Sequence, residues 1–375
     1  MWLLILRCLQ SSGSSSTVSL AYAVTADVVT SDERGAYIGL ASVGPILGPS
    51  LGPVAGGLIS QYLGWRWIFW FLAITATTFF IPLLIFLPET CRKVVGDGSI
   101  TPTSLWNKSA LSCITSRHNA KNGINSDSVE EHEAAPLPRK RGLKFPNPFV
   151  TLKLLFSFPT GIVLIYNGIL FAGYYAVTSS LSYSFYAAYN FSDLQVGLTF
   201  IPLGSGTVIA AIANGILVDW NYRRHAARLG ITIHKGRDME SNGVKFPIEK
   251  ARLQIAMPMV FLGAISMAGY AWALHLCLPP AAPLLVLFVF GFTGTAAYNI
   301  MNVLIVDLNH GAPAMAMAAN NLVRCFLGAG ATAIVMLVIK TLGLGWTFTG
   351  VSGIWIALSP LMGLLVWDVG GKARE

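Results

Sequence analysis

The stretch that decides the fold is Gly39-Leu-Ala-Ser-Val-Gly44-Pro45-Ile-Leu-Gly48-Pro49-Ser-Leu-Gly52-Pro53-Val-Ala-Gly56-Gly57. In water, glycine and proline at this density would ruin a helix, because proline removes backbone donors and glycine loses the most conformational freedom. Yet residues 35–65 contain no Asp, Glu, Lys or Arg. A bilayer reconciles the two facts. Small residues there let helices approach closely, and neighbouring helices re-satisfy the backbone groups that proline frees. The stretch therefore reads as a kinked, tightly packed transmembrane helix.

Working outward, the whole chain follows the same rule. Of its 375 residues 54% are hydrophobic and 11% charged, against about 25% charged in soluble domains. That excludes a water-soluble globule and extended disorder. Charge-free stretches long enough to span a membrane predict nine helices, near 2–26, 36–60, 67–88, 159–187, 195–218, 253–275, 283–306, 315–340 and 346–367. Pro279-Pro280 and Pro283 divide one long stretch into two, and Arg324 is carried inside a single span. Residues 91–150 are rich in Ser, Asn, Gly and Pro and read as a flexible linker, while 221–252 read as a basic loop. The organisation is three spans in 1–90, the linker, and six spans in 151–375.

Lysine and arginine set the orientation. The segments 27–35, 89–153, 223–252 and the tail hold 21 of them, and the opposite side holds only Arg66 and Lys340. By the positive-inside rule the large loops and the C-terminus face the cytoplasm. The net charge of +8 is thus a topology signal, and no nucleic-acid partner is expected. The five cysteines form no CxxC pair, the six histidines are scattered, and no HExxH or GxxxxGK[ST] occurs. Metal, cofactor, ATP-driven and membrane-enzyme chemistry therefore have no motif to rest on.

The spacing G-x8-G-x3-G-P-x2-G-G, met at Gly39, Gly48, Gly52, Pro53, Gly56 and Gly57, is similar to the antiporter motif in the fifth helix of proton-linked drug exporters of the major facilitator superfamily. Leu3-x3-Arg7-x2-Gln10-Ser11-x-Gly13 resembles that family's fourth-helix motif, with Ser11 where Gly is usual. Gly215-x-Leu217-x-Asp219-x3-Arg223-Arg224 resembles its cytoplasmic gate motif, and Ala319-Asn320-Asn321-x2-Arg324 resembles helix eleven of the quinidine-resistance-type fungal multidrug exporters. The likeness covers nearly the whole chain outside the linker.

The resemblance implies an all-α fold, a partial major-facilitator bundle whose N-terminal half is represented by family helices four to six. The first three of twelve helices have no counterpart in these residues. It also implies export of drugs, weak acids or secondary metabolites by proton antiport, with the lipid bilayer, a small molecule and protons as partners. A monomer in the plasma membrane is expected, the vacuolar membrane being the alternative site. A truncated, non-transporting remnant is the alternative function, because no Asp or Glu lies deep in a span. Arg7 and Asp27 are the relay or gating candidates, although Arg7 could simply snorkel to the surface. Gly215, Asp219, Arg223, Arg224, Asn321 and Arg324 are the cytoplasmic-gate candidates. Gln10, Asn167, Tyr174, Asn299 and Asn302 are the cavity candidates, each of which could instead serve helix packing. Asn190-Phe-Ser192 is a glycosylation sequon close to the membrane.

Overall fold

The computed structural model describes residues 2–14, 17, 24, 48, 51–87, 90, 155–157, 160–228, 248–309 and 313–363. Every regular element among them is a helix. Seven are long and apolar enough to cross a membrane, six of them from Thr160 onward. The chain divides into two compact units, Met1–Gly48 with Tyr62–Lys144, and Pro49–Gln61 with Phe145–Glu375.

In the first unit, α1 spans Trp2–Ser14. Helical residues 51–63, here α2, lie mostly in the second unit. Gly64, at φ +87°, turns the chain into α3, Arg66–Phe86. No α3 side chain is buried. A helix this apolar all round suits lipid rather than water.

The second unit contains α4 (Thr160–Tyr189), α5 (Asp193–Leu198), α6 (Phe200–Arg228), α7 (Ile248–His275), α8 (Ala281–Leu308), α9 (Pro313–Leu342) and α10 (Leu344–Leu358). Each break has a local cause. Ser192 and Gln195 form a capping box that starts α5, satisfying backbone donors in both directions. After α7, Cys277 sits at φ 48°. Its N–H donates to Leu274 O and that of Leu278 to Ala273 O, the Schellman closure that usually employs glycine. Gly343, at φ +81°, separates α9 from α10. The six predicted C-terminal spans are all present, with one difference. The expected basic loop 221–252 is helical through Arg228 and again from Ile248. Asn221 Nδ2 donates to Ala251 O (2.7 Å) and the His225 ring pairs with Gln254 (2.7 Å), holding the two extensions together.

Large side chains fill the centre: Trp355, Tyr166, Tyr270, Phe185, Phe290 and Phe348 are fully buried. Glycines set the closest approach. A Cβ on Gly206 of α6 would collide with Phe288 O of α8, and one on Gly291 of α8 with Leu203 O of α6. The two helices touch backbone to backbone, which fixes the side chains α8 presents half a helix further on.

Candidate functional site

Three helices bring amides together about two turns in from one end of the bundle. Asn167 of α4 is completely buried and its Nδ2 donates to Asn302 Oδ1 on α8 (2.8 Å) and Asn320 Oδ1 on α9 (3.0 Å). Asn320, also fully buried, donates to Asn302 Oδ1 (2.9 Å). The triangle uses both Asn167 donors yet leaves its Oδ1 buried without a partner. Because interhelical amide pairs replace unsatisfied groups in hydrocarbon, this network ties α4, α8 and α9 at one level. Asn167 and Asn302, singled out from sequence as cavity candidates, are brought together, whereas Asn299 is half-buried and stands outside the triangle.

One helical turn further along α4 and α9 stands an arginine. Arg324 Nη1 donates to the Tyr298 hydroxyl on α8 (2.9 Å), and its guanidinium lies 4.9 Å from the centre of the Phe171 ring on α4. Its Nε is buried without a hydrogen-bond partner. Phe171 stacks in turn near Tyr175 (4.3 Å) and Tyr298 (5.7 Å). Gly168 allows this approach, since a Cβ there would meet Val323 and Leu327 of α9 at under 3 Å. One turn beyond Phe171 on α4, the Tyr174 hydroxyl pairs with Thr207 (3.3 Å), which accepts from Thr295 (3.2 Å). The Tyr174 ring stacks on Phe290, and Phe290 on Trp355.

The two ends of the bundle differ. Where α4 begins, Arg252 of α7 pairs with Asp307 of α8 at 3.0 Å. Arg224 lies on the Trp220 ring (5.3 Å) and Gly215 faces open space. The side chains of Asp219 and Arg223 lie outside the described residues. Asn321 is exposed on α9, and Arg324 stands some 16 Å along that helix from Pro313 at 1.5 Å per residue. The structure therefore distributes the gate candidates over two levels.

At the opposite end α2 docks on α5. Ser60 Oγ donates to Asp193 Oδ2 (2.8 Å), and the Leu194 N–H donates to Gln61 Oε1 (3.0 Å). The backbones meet at glycines. A Cβ on Gly57 would lie 2.6 Å from Asp193 O, and one on Gly197 would lie 2.8 Å from Pro53 O. Beside the contact is a cavity of about 480 Å³ lined by Pro53, Gly56, Ser60, Tyr183, Tyr186 and Asp193. Gly48, Gly52 and Gly56 face open space, so among the described glycines of the motif only Gly57 is sterically required here. Sequence reading passed over Ser60, Gln61 and Asp193 as partners. The Ser192-x2-Gln195 spacing was the available signal that a helix start lay there.

Arg7 donates to Gln10 Oε1 (3.1 Å) and rests on the Phe69 ring (4.8 Å), both side chains exposed in the first unit. Asp27 and Gly39 lie outside the described residues. Asn190, at φ 55°, closes α4. Among the described residues no cluster of His, Cys, Asp and Glu could hold a metal.

A family model described as Major Facilitator Superfamily matches residues 1–333. The chain is 58% identical to the MFS-type transporter phiL of Fungal sp., over 97% of this chain and 86% of that protein. It is 43% identical to MFS-type transporter phiD of the same source, over 96% and 53%. It is 32% identical to Citrate exporter 1 of Aspergillus niger, over 96% and 67%. The chain thus spans between about half and six-sevenths of the length of these relatives.

Proposed function

The chain belongs to the Major Facilitator Superfamily, and on that premise we propose that it exports small organic molecules in exchange for protons. The observation that carries this reading is the joint presence of the family match and a polar, arginine-bearing cluster inside the spans α4, α8 and α9. Intramembrane ionisable groups mark substrate and ion pathways. A relative named Citrate exporter 1 supports outward movement of an organic acid, and the relatives phiL and phiD, named as MFS-type transporters, support transport as such.

With the C-terminus cytoplasmic, the α2–α5 contact lies on the outer side, and the Arg252–Asp307 pair on the inner. Alternating access then breaks and remakes the outer contact: two hydrogen bonds and a backbone seam at Gly57 and Gly197. Protons enter through carboxylates at the span ends, with Asp193 and Asp27 as the candidates. Arg7 on its exposed helix serves gating, and Asp219 with Arg223 and Arg224 serves the inner gate. The plasma membrane is the site of action. Expression in a yeast strain stripped of its own exporters tests the reading. Cells preloaded with labelled citrate, benzoate or rhodamine should lose at least one of them faster than vector controls, and collapsing the proton gradient should abolish the difference. Equal retention of all three sinks the proposal.

A further inference from the structure

Arg324 carries a fixed positive charge, since a guanidinium does not deprotonate in proteins. It therefore cannot ferry a proton, and its presence inside a membrane helix demands an anion or a compensating geometry. Among the described residues its compensation is neutral. Tyr298 accepts one N–H, Phe171 offers its ring face, and Nε is left buried and unpartnered. Among the described residues the single ion pair is Arg252–Asp307 at the end of the bundle, and α4, α9 and α10 contain no acid at all. Tyr298 accepts from Arg324, so its own hydroxyl proton is free to donate. Asn321 and Cys325 beside Arg324 are exposed, and Tyr175 is 39% exposed, so the cluster borders an open face.

We infer that Arg324, with Tyr298, binds the carboxylate of an organic anion, the aromatic rings of Phe171 and Tyr175 flanking the body of the molecule. A guanidinium fork matches a carboxylate in two parallel hydrogen bonds, and the tyrosine hydroxyl adds a third. The rings already packed around the cation favour a flat, aromatic acid. This inference rests on the transporter reading for its role in export, but the site itself is a binding claim and can be tested without flux.

Equilibrium dialysis of the purified full chain against labelled 1-naphthoate and neutral 1-naphthamide provides the test. Wild type should prefer the carboxylate. Arg324→Gln should weaken naphthoate about ten- to a hundredfold, the range for a hydrogen bond to a charged group, and leave naphthamide unchanged. Arg324→Lys should restore part of the loss, and Tyr298→Phe should weaken naphthoate severalfold. Should Arg324→Gln not fold, naphthoate must still protect Arg324 of the wild type from phenylglyoxal, read by peptide mass spectrometry. No carboxylate preference in wild type, an unaltered preference in Arg324→Gln, or no protection overturns the site. Carboxylate binding without flux in proteoliposomes would count against the transporter reading alone. Flux without carboxylate preference would count against Arg324 alone.

Discussion

Adding one methyl group to the α2–α5 seam should loosen it by a calculable amount. A Cβ at Gly57 meets Asp193 O at 2.6 Å and Gly197 Cα at 3.5 Å; one at Gly197 meets Pro53 O at 2.8 Å and Val54 Cα at 3.3 Å. An ordinary C···O contact is about 3.3 Å, so either alanine must push the backbones apart by roughly 0.5–0.7 Å. The obstacles are main-chain atoms and cannot rotate away. Overpacking of this kind costs about 1–3 kcal/mol, and about 1.4 kcal/mol is tenfold in an equilibrium. The contact should therefore lose roughly five- to a hundredfold in population relative to the separated state. The same displacement strains the Ser60–Asp193 and Leu194–Gln61 hydrogen bonds, adding to the loss. One shift accommodates both methyl groups, so Gly57→Ala and Gly197→Ala together should cost less than the sum of the two. Spin labels at the exposed Leu58 and Leu198, with distances read by pulsed electron resonance, report the seam directly. Each single variant should move population from short to long distances. Unchanged distributions, or strictly additive effects in the double variant, would refute this reasoning.

Four further substitutions probe the elements that position the cluster. Asn167→Leu removes two donors from Asn302 and Asn320 and should lower stability by about 1–3 kcal/mol at roughly 0.6–1.7 per membrane hydrogen bond; thermal unfolding in detergent measures it, and an unchanged midpoint argues that the triangle is not formed. Asp307→Asn should cost about 1–2 kcal/mol, because the Arg252 pair is only partly screened from water, and the loss should shrink in high salt; salt-independent melting would contradict an ionic contact. Gly291→Ala drives α8 from Leu203 O and should lower the melting temperature by several degrees, with a matching loss from Gly206→Ala; tolerance of both would show that α6 and α8 are not in backbone contact.

Most of the fold was legible because a bilayer makes span length and charge placement decisive. The six helices from Thr160 lie where charge-free stretches place them. The helical extensions of α6 and α7 into the basic loop were hidden, since their order rests on tertiary hydrogen bonds such as Asn221–Ala251 that leave no periodic signal. At the cluster, sequence named Asn167 and Asn302 because a mid-span amide needs a partner. It could not name the partner, because one helix's pattern gives a face but not the rotation of its neighbours. Asn320 and Asn321 illustrate the limit: adjacent in sequence, the first is fully buried in the triangle and the second exposed. Arg324 read as a gate residue from its motif and as an intramembrane charge from its span, whereas its contact with Tyr298 emerges only from packing. The antiporter motif was visible as a spacing, but which glycine bears a backbone against it depends on α5 and was not.

The central claim is proton-coupled movement of a small organic molecule, and flux through the purified chain tests it most directly. Proteoliposomes containing the full chain should be loaded with labelled naphthoate or citrate, and a pH gradient imposed in either direction. The account predicts efflux that accelerates when protons are supplied on the opposite side and reverses with the gradient, accompanied by a counter-movement of protons seen with an internal pH dye. Substrate and proton movements indistinguishable from protein-free liposomes, under both gradients, would contradict it.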